Sequence, residues 1–199
     1  DQISKATGAS PAIFTLPAAD GTAGQYLKTD GSGILSWGTP PDQKITNASQ
    51  WRLTADFTGD ATPIGDSVGV IEEVDAPVGF GVLGDSMTES SGIFTFPSSG
   101  YYLIRFHAYF LANTNSLYNR IKIQTTTNDS TYAVACITSG AAGAANQEQG
   151  ISTEYIFDVT DTTQCKCRFD VDVNAAGVTT KGDTDQNETF MTFIKLADT

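Results

Sequence analysis

The sequence is short of the residues that most protein chemistry relies on. It has 1 His, 3 Cys and 2 Met among 199 residues. Any Ser–His–Asp or Cys–His arrangement would have to use the single histidine, His107. His107 falls in mid-strand between aromatic neighbours, a place for a core or interface side chain. An odd number of cysteines argues against a disulfide framework. Cys165 and Cys167 form a Cys-x-Cys pair, but a zinc centre needs further Cys or His ligands that the chain does not supply. Basic residues are also scarce, 11 Lys and Arg against 23 Asp and Glu, for a net charge of -12. That balance excludes a free-standing nucleic-acid binder, which needs clustered cations, and disfavours an anionic membrane surface. No apolar run is long enough to span a bilayer, and no signal-peptide pattern or long helical apolar spacing is present. Residues 81 to 86, GVLGDS, lack the Lys of a phosphate-binding loop.

What is present points to β-structure. Aromatics make up 10% of the chain and Gly contributes 19 residues, a mix of core material and turn material. Alternating runs recur as QWRLTADF, GIFTFPSSGYYLIRFHAYF, RIKIQT, YAVACIT, STEYIFDV, CKCRFDVDV and ETFMTFIKL. In the first, Trp51, Leu53, Ala55 and Phe57 share one face. In the sixth, Cys165, Cys167, Phe169, Val171 and Val173 share one face, so the cysteines act as small hydrophobes. Residues 58 to 92 are broken by Gly and Pro, with short runs at Val68–Val74 and Val78–Leu83. Residues 138 to 150 read as a surface loop, and 113 to 119 and 173 to 187 read similarly. The expectation is an all-β sandwich of antiparallel strands.

The first 45 residues read differently. Short extended runs are separated by Asp20-Gly21 and Asp30-Gly31, dipeptides suited to tight turns of positive φ. Phe14, Leu16, Tyr26, Leu27, Ile34, Leu35 and Trp37 are too few to fold alone. They are expected to dock on another protein or another copy. The wording LPAADGTAGQYLKTDGSGILSW resembles a short module of bacteriophage tail-fibre and virion appendage proteins. There it precedes a trimeric head. Pro40-Pro41 marks a stiff joint, dividing the chain into an attachment module, residues 1–45, and a head domain, residues 46–199.

A second resemblance lies in the head. Phe94, Thr95, Pro97, Gly100, Tyr101, Tyr102, Phe106, His107 and Ala108 follow the order of a motif of the C1q/tumour-necrosis-factor-like domain. Glu154 to Val159, Thr189, Phe190, Phe193 and Leu196 match more loosely. Met191-Thr192 stands where the family carries Gly. The resemblance implies a jelly-roll sandwich that assembles as a homotrimer. Alternation gives Tyr102, Ile104, Phe106, Ala108 and Phe110 one apolar face suited to a sandwich core. The opposite face carries Tyr101, Leu103, Arg105, His107 and Tyr109, residue types enriched at interfaces. It is expected to line the trimer contact, or to be a second covered face within the subunit.

Carboxylate pairs occur at Glu72-Glu73-Asp75, Asp158/Asp161, Asp170/Asp172 and Asp183/Asp185. Asp183, Asp185 and Asn187 form a calcium-like alternation without EF-hand order; otherwise no cofactor or metal is expected. Together the resemblances imply a non-enzymatic phage virion structural protein, outside the cell on an appendage or the capsid surface. Its trimeric fibre head would bind a host surface glycan or receptor, and its N-terminal segment another virion protein. A capsid decoration or head-fibre protein is one alternative. A glycan depolymerase using a carboxylate pair is another.

Overall fold

A computed structural model of the chain describes residues 15–40, 45–79 and 81–199. The chain forms two compact units, one ending at Lys44 and one running Ile45–Thr199.

In the first unit, β1 (Tyr26–Thr29) and β2 (Leu35–Gly38) pair as an antiparallel hairpin. Its turn uses Asp30-Gly31 as the sequence suggests: Asp30 Oδ1 accepts from the amides of Ser32 (2.8 Å) and Ile34 (3.1 Å), and Gly31 has φ 83°. Asp20-Gly21 is not a positive-φ turn. The turn falls instead at residues 22 to 25, with Gly24 at φ 87° and the Gln25 amide donating to the Thr22 carbonyl at 3.1 Å. Gly21 is required for space: a Cβ there would meet the Trp37 ring at 2.6 Å.

The second unit contributes β3 (Ala48–Leu53), β4 (Phe57–Thr58), β5 (Ile71–Glu73), β6 (Thr88–Ser90), β7 (Ile93–Thr95) and β8 (Gly100–Ala112). It continues with β9 (Ser116–Thr126), β10 (Ala133–Ala142), β11 (Gln147–Val159), β12 (Lys166–Val173), β13 (Val178–Thr180) and β14 (Phe190–Ala197). One sheet runs β10-β9-β12-β7-β6; the other runs β4-β13-β8-β14-β3-β5, with β11 paired to β8 along its whole length. The pairings between strands are antiparallel. This is a two-layer jelly-roll sandwich.

The core follows from alternation. Tyr102, Ile104, Phe106, Ala108 and Phe110 of β8 are buried and face Ile121, Ile123, Phe169 and Val171 of the other sheet. Phe94, Phe106, Phe169 and Phe193 interlock, with ring centroids 5.0 Å apart for Phe106–Phe169 and 5.1 Å for Phe94–Phe193. Each buried aromatic contributes on the order of 2 kcal/mol by area, and edge-to-face contacts add about 1. Cys165 and Cys167 are buried in this core, and burial pushes the Cys167 thiol far above the ordinary range.

Several expectations are corrected. Trp51 and Leu53 share a face, but β3 ends at Leu53, Ala55 is exposed, and Phe57 starts a separate strand. The ladder stops there because the Leu53 carbonyl takes the Asp183 amide and the Thr54 amide turns to the Val70 carbonyl, both at 2.9 Å. Among the described residues of the run from Val78 to Leu83 there is no strand: Val78 is fully exposed, and Leu83 alone of them bridges, to Ala48. Residues 138 to 150 are mostly strand, leaving 143 to 146 as the loop between β10 and β11. The polar stretches at 113 to 119 and 173 to 187 likewise contain the start of β9 and all of β13, with Ser116 and Asn119 fully buried.

Candidate functional site

The strand register assembles a broad surface on the face of the β8 sheet turned away from the core. Ile156 of β11 lies opposite Leu103 of β8; Leu103 lies opposite Ile194 of β14; Ile194 lies opposite Ala48 of β3; and Ala48 bridges Leu83. Register partners share a face, so these five residues form one apolar row, about 19 Å long at the usual strand spacing. Ile156 is 56% exposed and Leu83 49%, and Tyr101 beside the row is 40% exposed. Leu103 and Ile194 are half-buried.

The next rows are polar and then aromatic. Arg105 pairs with Glu154 across the strands, Nη2 to Oε2 at 3.0 Å. His107 lies between Ser152 and Phe190 in register: Nδ1 is 2.7 Å from Ser152 Oγ, and the ring stacks on Phe190 at 5.1 Å between centroids. Partial burial holds the His107 pKa below its ordinary value. Across β11, Gly150 leaves room for the imidazole; a Cβ there would come to 3.1 Å from Cε1. A hydrogen bond from the Tyr109 hydroxyl to Glu148 is the main reason the phenol holds its proton to higher pH. A shallow depression of about 250 Å³ is lined by Arg105, Ser152, Thr153, Glu154 and Phe190.

All five residues named from the sequence, Tyr101, Leu103, Arg105, His107 and Tyr109, thus lie on one face. None is fully buried in the protomer. What sequence reasoning missed is the contribution of neighbouring strands: Ile156, Glu154 and Ser152 from β11, Ile194 and Phe190 from β14. The alternation in residues 152 to 159 was the available signal. It also missed Arg52, whose side chain is fully buried at the edge of this sheet. Arg52 donates to Glu72 (2.8 Å), Asp75 (2.7 Å) and the Ala76 carbonyl (2.8 Å), pinning residues 72 to 76 against β3.

The residues expected to dock the N-terminal unit divide in two. Tyr26, Leu27 and Ile34 are exposed, whereas Leu16, Leu35 and Trp37 are half-buried. Trp37 donates from Nε1 to the Ala19 carbonyl at 2.8 Å and lies against Gly21, so it organises its own unit. Phe14 lies outside the described residues.

Several of the carboxylates are engaged locally, whereas Asp158 and Asp170 each keep one buried oxygen without a hydrogen-bond partner among the described residues. Glu72 and Asp75 serve Arg52, and Asp172 serves Lys122 and Arg120. Asp161 caps its own turn through Thr163. Asp183 Oδ1 accepts from the amides of Asp185 (2.6 Å) and Gln186 (3.0 Å), and Asp185 is exposed. Among the described residues no group of three or more His, Cys, Asp or Glu is placed to hold a metal ion.

No protein-family model and no curated protein sequence matches the chain. Solved structures do. The Eiger TNF of S. frugiperda superposes with a TM-score of 0.56 at 14% identity, covering 78% of this chain and 96% of that one. Murine APRIL superposes with a TM-score of 0.54 at 10% identity in a crystal structure at pH 5.0, covering 75% and 98%. Its structure at pH 8.0 gives 0.53 at 12% identity.

The fold is that of the TNF-like jelly roll.

Within this TNF-like fold, β8 is flanked by the edge strand β11 on one side and by β14 and β13 on the other. The candidate face therefore runs across the sheet from its β11 edge to Leu83.

Proposed function

We propose that the chain is a non-enzymatic structural protein of a bacteriophage virion. Its TNF-like head is a homotrimer, closed through the β8 sheet face, and serves as the host-contacting tip of a fibre or appendage. The N-terminal unit attaches the head to another virion protein through exposed Tyr26, Leu27 and Ile34. The observation that carries this reading is the apolar row from Ile156 to Leu83, which no other part of the described head covers. An apolar stripe flanked by the Arg105–Glu154 pair and stacked aromatics has the make-up of a subunit interface. The tail-fibre wording of residues 16 to 37 supports the particle, and the local engagement of the carboxylates supports a binding role over hydrolysis. Three copies of a weak host-glycan site would act with avidity.

Two measurements test this. Sedimentation equilibrium should return three times the protomer mass of 21.1 kDa. Antibody labelling of virions under the electron microscope should mark the tail or its fibres. Label spread over the head shell would instead support capsid decoration, docked through the N-terminal unit. A monomer at micromolar concentration would overturn the trimer.

A further inference from the structure

The outer face of the second sheet concentrates positive charge in an acidic protein. Four of the chain's 11 Lys and Arg residues, Arg120, Lys122, Lys166 and Arg168, come from the adjacent strands β9 and β12. Register sets Asp172 opposite Arg120, Asp170 opposite Lys122, and Arg168 opposite Gln124. Ile121, Ile123, Phe169 and Val171, which alternate with them, fill the core, so the charged set lies on the outside. Lys166 is buried and donates to the Thr162 carbonyl at 2.8 Å, so Arg120, Lys122 and Arg168 are the accessible cations; four cations against two carboxylates leave this face net positive, while the chain carries -12.

The face is also ordered and aromatic. The Arg120 guanidinium stacks 3.7 Å from the centroid of the Tyr118 ring, and that of Arg168 4.4 Å from the Tyr132 ring. Arg168 Nε and Nη2 donate to Gln124 Oε1 at 3.0 and 2.7 Å, and Gln124 Nε2 donates to Asp170 Oδ2. Asp172 Oδ2 accepts from Lys122 Nζ at 3.2 Å and lies 3.7 Å from Arg120 Nη1. Asp170 is only 2% exposed, and its Oδ1 has no hydrogen-bond partner. Burial pushes the Asp170 carboxyl above the ordinary range, against the pull of Arg168, Lys122 and Gln124. Val134 and Ile137 of β10 lie exposed beside Gln124 and Lys122.

This combination selects among anionic ligands. A polyanion without hydroxyl groups, such as polyglutamate, offers acceptors to the cations but no hydroxyl donor to Asp172. An acidic sugar offers more: carboxylates for Arg120 and Arg168, hydroxyl donors for the partly exposed Asp172, and ring C–H faces for the tyrosines. Arg120 and Arg168 are separated by four residues along the ladder, about 13 Å, a distance a short oligosaccharide spans.

We infer that the outer face of β9 and β12 binds an acidic polysaccharide, with Arg120 and Arg168 holding its carboxylates and Tyr118 and Tyr132 packing on its rings. This rests on the reading of the chain as a host-attachment protein and names both the ligand class and the surface. The test uses the full chain with polygalacturonate as probe, and dextran, polyglutamate and single-stranded DNA as comparisons, by titration calorimetry at low and high salt. Polygalacturonate should bind, more weakly as salt rises, and dextran should not. Loss of two charge-assisted contacts in the Arg120→Gln/Arg168→Gln double variant should weaken binding by roughly tenfold to a hundredfold, with far-UV circular dichroism and oligomer mass unchanged and the melting temperature lowered, because Gln124 loses its two bonds from Arg168. Lys28→Gln, the loss of a single positive charge in the other unit, should bind as the parent does. Undiminished binding by the double variant, equal binding of polyglutamate or DNA, or no binding of polygalacturonate at low salt overturns the inference. Adsorption of the labelled protein to bacterial cells separates the two readings. Adsorption that survives in the double variant rejects this face and leaves attachment standing; no adsorption by the parent to any host of the phage rejects attachment itself.

Discussion

Replacing Leu103 with Asp should separate the subunits without unfolding the head. Leu103 sits in the middle of the apolar row, half-buried in the protomer, between Ile156 and Ile194. Fully burying a Leu or Ile contributes about 1.5–3 kcal/mol. Ile156 and Leu83, each close to half exposed, would therefore add about 1 kcal/mol apiece in a closed interface, and Leu103 and Ile194 about 0.5 each. The row is then worth about 3 kcal/mol per protomer and about 9 per trimer, before the cost of association. An Asp at position 103 either keeps its charge in the contact or protonates there. A shift of two pKa units alone costs about 2.7 kcal/mol per copy, or about 8 per trimer, which cancels the contribution of the row. Sedimentation equilibrium at micromolar concentration should show the parent at three times 21.1 kDa and the variant at 21.1 kDa. Far-UV circular dichroism should show the same β-signal for both. Ile156→Glu, at a more exposed point of the row, should act in the same direction. A Leu103→Asp protein that keeps the parent's mass would refute the assignment of this face.

Arg52→Met removes the pin on residues 72 to 76, and should cost about 2–4 kcal/mol in urea unfolding, because Glu72 and Asp75 can still reach water. Gly21→Ala puts a Cβ 2.6 Å from the Trp37 ring; Trp37 fluorescence should shift and incorporation into particles should fall, with the melting of the head unchanged. Burial lowers the His107 pKa from 6.5, so the unfolded chain takes up the proton first as pH falls. That lost stability is absent well above pH 6.5 and grows as pH drops from 6.5 toward the folded pKa. His107→Gln should erase this component, so melting curves of parent and variant should converge at higher pH and separate in acid. In thiol titration of the native protein only Cys136 should react, with Cys165 and Cys167 appearing on unfolding, since both are buried in the core.

Legibility in the sequence follows the range of the interaction that decides each feature. The two faces of β8 were readable because alternation is local: every second residue from Tyr102 to Phe110 is apolar, and each one is buried. The buried cysteines were readable for the same reason. Residues 138 to 150 were misread because Gly, Ala and Ser are weak strand formers in isolation. In the folded chain, β10 and β11 are templated by long ladders on β9 and β8, and pairing overrides propensity. Arg52 was not readable at all. Alternation places it outward from the core, and only the return of residues 72 to 76, twenty positions later, closes over it.

The open face of β8 falls between these cases. A strand with aromatic residues on both sides is compatible with a two-sided core, and the sequence left that alternative standing. The second sheet packs on one side only, and the row from Ile156 to Leu83 crosses five neighbouring segments of the other side without meeting a covering element among the described residues. Another copy of the head offers a matching row of the same length. Closure by symmetry is therefore the simplest way to remove this surface from water, and a cyclic arrangement closes it on every subunit at once.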